Sequence, residues 1–145
     1  MKVERNIEIA VDPAVLYEIL MDPDCLERWV TIHDSWKELP AGDLREGSEL
    51  VQKLKIAGQG FKVTWHVVQA DCPKRVVWEG DGPMGTKARV TYELAPNGKG
   101  TKFKYVNEYE LPGGPFGKAA GGAIKGASGR EADKSLERLK EFVEG

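Results

Sequence analysis

A chain of 145 residues has the size of one ordinary domain and buries about 70% of the surface it would expose unfolded. Its 41% hydrophobic and 30% charged residues exclude global disorder, and no run approaches the roughly 18 apolar residues a membrane-spanning helix needs. The net charge of −2, with both signs interspersed, gives no electrostatic footprint for nucleic acid. The start, Met1-Lys2-Val3-Glu4-Arg5-Asn6, lacks the apolar run of a signal peptide. Cys25 and Cys72 are therefore expected to be reduced thiols of a cytoplasmic protein.

Alternation defines a first strand over Lys2 to Val11. Val3, Ile7, Ile9 and Val11 share one face with Arg5, and Lys2, Glu4, Asn6 and Glu8 share the other. Asp12-Pro13 then reads as N-cap and first helical residue, with Val15, Leu16, Ile19 and Leu20 as the apolar stripe. Asp22-Pro23 opens a second short helix that runs through Leu26 to about Trp29.

Beyond it the hydrophobic period falls from that of a helix to two. Extended runs are predicted at Thr31 to Leu39, Ser48 to Ile56, Phe61 to Ala70, Arg75 to Glu79, Thr86 to Leu94 and Thr101 to Leu111. Compact turns separate them, as an antiparallel meander requires. With the first strand this makes seven. Lys62, Lys87, Arg89, Lys102, Lys104, Glu108 and Glu110 mark a wet face, so the opposite face must be covered. From Ser128 onward Ala132, Leu136, Leu139, Phe142 and Val143 form the inward stripe of an amphipathic helix that supplies the cover. The expected architecture is α+β: a curved seven-stranded antiparallel sheet wrapped around a long C-terminal helix, with two short helices between strands 1 and 2. It is expected to be one domain over residues 1–145.

Four stretches carry a family likeness. They are Ala10-Val11-Asp12-Pro13-Ala14-Val15-Leu16-Tyr17, Asp22-Pro23-Asp24-Cys25-Leu26-Glu27-Arg28-Trp29, the hairpin from Gln69 through Asp71-Cys72-Pro73-Lys74 to Glu79, and Leu136-Glu137-Arg138-Leu139-Lys140. They resemble the START/Bet v1-like superfamily (SRPBCC), the polyketide cyclase/dehydrase and lipid-transport group with the helix-grip fold. The resemblance covers essentially the whole chain. It implies the fold more strongly than any activity, because these motifs are structural punctuation.

A packing mismatch suggests where a site lies. Between Gly113 and Gly129 the residues are mostly glycine and alanine, with Phe116 and Ile124 as the large apolar exceptions. The facing strands carry Trp65, Trp78, Tyr92, Tyr105 and Tyr109. Small residues opposite aromatics leave a concave, mostly apolar space, the usual make-up of a small-molecule pocket. Arg5, Asp34, Gln52 and Asn107 fall at inward positions by parity. A buried Arg5 needs a partner, with Asp34 as a candidate; it is either a structural ion pair or an anchor for a ligand carbonyl or carboxylate. Asn107, flanked by Tyr105 and Tyr109, suits ligand hydrogen bonding. The ligand-binding candidates are thus Arg5, Gln52, Trp65, Trp78, Tyr92, Tyr105, Asn107, Tyr109, Phe116 and Ile124.

The catalytic inventory is thin. Of the two histidines, His66 falls on the charged side and His33 lies where parity is ambiguous. Neither has metal-ligand spacing to another donor, so no metal and no cofactor are expected. No Gly-x-Ser-x-Gly elbow occurs, and the glycine-rich segment lacks the phosphate-loop pattern. Two readings remain. One is binding or transport of a hydrophobic lipid-like or polycyclic molecule, with the glycine-rich half-helix as a door. The other is a metal-free polyketide cyclase/aromatase-like enzyme using the same cavity. The charged outer face argues against a chaperone-regulator role and against dimerisation through that face. A monomer or weak dimer is expected, with no nucleic-acid partner and no integral membrane association.

Overall fold

The structure is a computed structural model. It describes the backbone of residues 2–110 and 115–145 and the side chains of residues 2–110 and 126–145. The chain runs β1 (Lys2–Ile9), α1 (Pro13–Leu20), α2 (Pro23–Trp29), β2 (His33–Glu38), β3 (Glu49–Ile56), β4 (Gln59–Asp71), β5 (Arg75–Asp81), a single 3₁₀ turn (Pro83–Gly85), β6 (Lys87–Asn97), β7 (Gly100–Glu110) and α3 (Pro115–Glu144). The strands form one antiparallel sheet in the order β1-β7-β6-β5-β4-β3-β2. The expected fold class is the observed one.

Element ends differ from the expected ones by a few residues or more. β1 stops at Ile9, and α3 begins at Pro115, ahead of the amphipathic stretch. Interior glycine lowers helix propensity by about 1 kcal/mol per residue against alanine, but local propensity does not set this boundary. Both Asp-Pro steps start helices with proline in the first turn. Asp22 accepts a hydrogen bond from Asp24 N at 2.9 Å, whereas Asp12 occupies the cap position without a side-chain bond.

Alternation holds along most strands. On the outer face, Arg75–Glu93, Glu79–Arg89 and Asp81–Lys87 are direct cross-strand partners of β5 and β6, and each forms an ion pair. Exposed pairs of this kind contribute little individually. Between the first two pairs lies Val77, opposite Thr91, and it is completely buried. Aliphatic stems of long charged side chains can cover such a residue while their heads stay in water.

The inner face meets α3, whose described half is held at several points. Leu136 and Leu139 enter the core, and Arg28 lies 5.4 Å over the Phe142 ring. Thr31 N donates to Ser135 Oγ at 3.0 Å, and Thr31 Oγ1 donates to the Glu131 carbonyl at 3.2 Å. Lys140 Nζ donates to the Glu8 carbonyl at 2.7 Å. Arg5 Nε donates to Asp133 Oδ1 at 2.7 Å. Gly129 leaves room for that crossing: a Cβ there would make a tight contact, 3.2 Å, with Arg5 Nη2.

This corrects the expected Arg5–Asp34 pairing. Arg5 reaches the helix, not β2, and stays half-exposed. Asp34 is exposed, with Lys53 Nζ 4.0 Å away. The physical reason is a register irregularity between His33 and Ser35 that breaks the parity of β2 at Asp34 itself.

Candidate functional site

Cross-strand rows locate the site on the sheet. One row aligns Leu94 with Phe103 and Ile7, the next aligns Val76, Tyr92, Tyr105 and Arg5, then Trp78, Val90, Asn107 and Val3, and finally Gly80, Ala88 and Tyr109. Around the first row Ile9, Leu16, Leu20, Trp29, Phe103 and Leu139 are at most 1% exposed, so this end is solid. Around the last two rows the described residues line a partly open cavity of about 70 Å³.

Gln52, Trp65, Trp78, Tyr92, Tyr105, Asn107 and Tyr109 all border this cavity. Arg5 does not, being occupied at the α3 seam. The side chains of Phe116 and Ile124, and most of the glycine-rich door, lie outside the described residues. Among those that are described, Ala88 leaves bulk out on the sheet side. Gly80 has a different role: a Cβ there would lie 2.7 Å from the Trp65 ring and from Val63, so its missing side chain is the bed on which Trp65 rests.

Several wall residues escaped the sequence reading. Leu54 and Ile56 on β3, with Phe61 and Val63 on β4, follow the alternation of their strands and could have been found from it. Leu26 on α2 and Val30 and Ile32 in the connection to β2 carried no such signal. Trp36 was hidden by the two register shifts of β2. At this end of the sheet the β3–β4 and β5–β6 hairpins place Ala57 (φ 51°) and Met84 (φ 57°) in the left-handed region, which non-glycine residues enter at a cost. Met84 is 85% exposed, next to wall residue Pro83.

The aromatic groups form a continuous set. Trp65 and Trp78 meet edge-on at 6.3 Å, and Tyr92 lies 6.4 Å from Trp78, 6.1 Å from Trp29 and 5.5 Å from Phe103. Tyr92 stacks on Tyr105 at 6.0 Å. Burial pushes the hydroxyl pKa values of Tyr92, Tyr105 and Tyr109 up, so all three are neutral hydroxyls near neutral pH.

A polar chain runs outward from the wall. Trp65 Nε1 donates to Gln52 Oε1 at 2.9 Å, and Gln52 Nε2 lies 2.7 Å from His33 Nδ1. The indole N–H can only donate, so the Gln52 oxygen accepts and its amide nitrogen donates to His33 Nδ1. The neutral imidazole therefore carries its proton on Nε2, which is 3.9 Å from Glu27 Oε1. Burial lowers the His33 pKa, and Glu27 and Asp34 oppose the shift. His66 is on the outer face with Glu49 Oε2 3.7 Å away. Among the described residues no cluster of three metal-ligating side chains occurs, and no helix is long and apolar enough to cross a membrane. Cys25 and Cys72 are free thiols.

This arrangement can be set beside known proteins. The chain belongs to the polyketide cyclase / dehydrase and lipid transport family, whose pattern it matches over residues 1–144. It is 31% identical to an uncharacterised protein of Mycobacterium tuberculosis over 144 residues, 97% of this chain and 96% of the relative. A crystal structure of a Thermus thermophilus protein superposes with a TM-score of 0.78 at 19% identity, covering 99% of this chain and 97% of the other. DynU16, a protein in the dynemicin biosynthetic locus, gives a TM-score of 0.68 at 15% identity, covering 99% of this chain and 47% of that one. At such identities the structural likenesses speak to the fold alone.

Proposed function

We propose that the chain binds a small, largely apolar molecule in the cavity at the hollow end of the sheet. The observation that carries this reading is an unfilled space walled by Trp65, Trp78, Tyr92, Val90 and Phe61 inside a molecule whose other end is closely packed. Protein interiors ordinarily close such spaces, and one lined by aromatic and aliphatic groups suits an apolar guest better than water. The family's association with lipid transport and polyketide chemistry agrees in kind.

Size narrows the guest. A space of about 70 Å³ is roughly half that of an engineered cavity that admits benzene. A single small ring enters with some give in the walls; a polycyclic molecule requires them to part. The cyclase or aromatase-like alternative needs a group that exchanges protons near neutral pH. The described walls hold neutral tyrosines and no carboxylate, histidine, lysine or arginine, which weighs for binding over turnover.

The test is a fluorine-NMR titration with para-fluorotoluene. Binding should shift or broaden the probe's resonance with the native chain and vanish in Ala88→Leu, which fills the space from β6. Equal binding to the filled variant, or none to the native chain, contradicts the proposal.

A further inference from the structure

We infer that a proton on His33 regulates the cavity: the neutral imidazole holds Trp65 in the wall through Gln52, and the protonated imidazole releases it and weakens guest binding. The inference rests on the binding reading and adds a regulation of the same site.

Donors and acceptors alternate from the wall to the proton site. Trp65 and Gln52 border the cavity and are 5% and 4% exposed, and His33 is not among the residues that line it. Trp65 Nε1 donates to Gln52 Oε1 at 2.9 Å, and Gln52 Nε2 donates to His33 Nδ1 at 2.7 Å. A carboxamide presents an oxygen on one side and an NH2 group on the other. Gln52 therefore serves Trp65 and His33 together in this orientation only while Nδ1 is a bare lone pair.

Protonation fills that lone pair. The Nδ1–H and the Gln52 NH2, both donors, then face each other across 2.7 Å. Turning the carboxamide over restores the bond to His33 but sets the NH2 against the Trp65 N–H. Either way one link breaks, and a buried donor left unmatched is costly. Trp65 rests on Gly80 and meets Trp78 edge-on at 6.3 Å, so a shift of its ring changes the surface a guest touches.

The charges near His33 set where the change occurs. Glu27 Oε1 on α2 is 3.9 Å from Nε2, and Asp34 follows His33 on β2, with Lys53 of β3 4.0 Å from its carboxylate. On α3, Glu131 accepts from Thr31 through its backbone carbonyl, and its carboxylate lies 3.9 Å from Lys134. Burial disfavours the charged imidazole and outweighs Glu27 and Asp34, placing the transition below the ordinary 6.5. Any further charge on α3 moves that midpoint and leaves the direction of the effect unchanged, because the direction comes from the Gln52 amide. A guest that needs Trp65 in place binds the neutral form better. Its affinity falls as the pH drops through the transition, and bound guest pushes the His33 midpoint lower by the same coupling.

The experiment titrates para-fluorotoluene, which has no ionisable group, into the native chain by fluorine NMR from about pH 7.5 to about pH 5. Far-UV circular dichroism confirms the fold at each pH. Affinity should fall roughly three- to tenfold toward the acid end. The His33 ring resonances should titrate at lower pH with the probe bound, a readout that needs no variant. His33→Phe and Gln52→Leu, on different strands, should each flatten the dependence, and either suffices if the other fails to fold. His66→Gln removes the second histidine, which lies beside Glu49 on the outer face, and should keep the full dependence. Equal affinity across the range, or affinity that rises toward acid, overturns the regulation while the binding reading stands. A dependence that survives in folded His33→Phe or Gln52→Leu, or that disappears in His66→Gln, overturns it as well. Failure of the probe to bind at any pH overturns the inference and the binding reading together.

Discussion

Where Leu94 lies opposite Phe103, the sheet packs against α1, α2 and the described half of α3, and Phe103, Leu16, Leu20 and Leu139 are completely buried. Two to three cross-strand rows away, where Trp78 aligns with Val90 and Gly80 with Ala88, aromatic walls border unfilled space. Both ends are made of the same strands in the same register. The solid end interleaves large side chains from three helices and the sheet. The hollow end sets the small Ala88 beside the rings of Trp65, Trp78 and Tyr92. One curved sheet thus devotes one end to stability and leaves room at the other.

The difference can be broken most visibly at the solid end. Phe103→Ala should destabilise the fold by about 3–5 kcal/mol, since its neighbours are already close-packed, read by urea denaturation. Gly80→Ala should cost about 1–3 kcal/mol through overpacking and shift tryptophan emission as Trp65 is lifted from its bed. Ala88→Leu, one position across on β6, should by contrast leave the melting temperature unchanged or raise it.

A pH prediction concerns the polar chain behind the wall. Burial puts the folded-state pKa of His33 below its ordinary 6.5, so the unfolded chain takes up the proton first. The contribution of His33 to stability is full above about pH 6.5 and falls as pH drops toward and through its folded pKa. Protonation at Nδ1 also removes the acceptor that Gln52 uses. The melting temperature should therefore decline as the pH falls below about 6.5, with a shallower slope in His33→Phe; identical slopes would sink this assignment. The smallest effect expected is from Gly126→Ala. Among the described residues a Cβ there meets only Arg130 Nη1 at 3.5 Å, and the gain in helix propensity is up to about 1 kcal/mol, measurable as a higher melting temperature.

Much of this was readable in the residues. The inner faces of β1, β4, β6 and β7 follow from alternation, and so do the aromatic groups that meet at the cavity. Asp34 was misplaced because parity does not survive a bulge, and the same irregular strand hid Trp36. The Arg5–Asp133 pair joins groups 128 residues apart, and no local pattern encodes which helix turn will face a given strand residue. The Trp65–Gln52–His33 chain likewise depends on the registers of β2, β3 and β4 taken together. The shortage of bulk expected on the helix falls on residues whose side chains lie outside the described ones; among the described residues Ala88 on β6 is a small member of the wall.

The most direct measurement is a crystal structure of the chain under xenon pressure. Xenon reports dry apolar cavities with no help from hydrogen bonding. A xenon peak between Trp65, Trp78 and Val90, absent from the Ala88→Leu variant, is the predicted result. Ordered water throughout that space, or Trp65 and Trp78 collapsed across it with no xenon bound, would contradict the existence of a guest site at this end of the sheet.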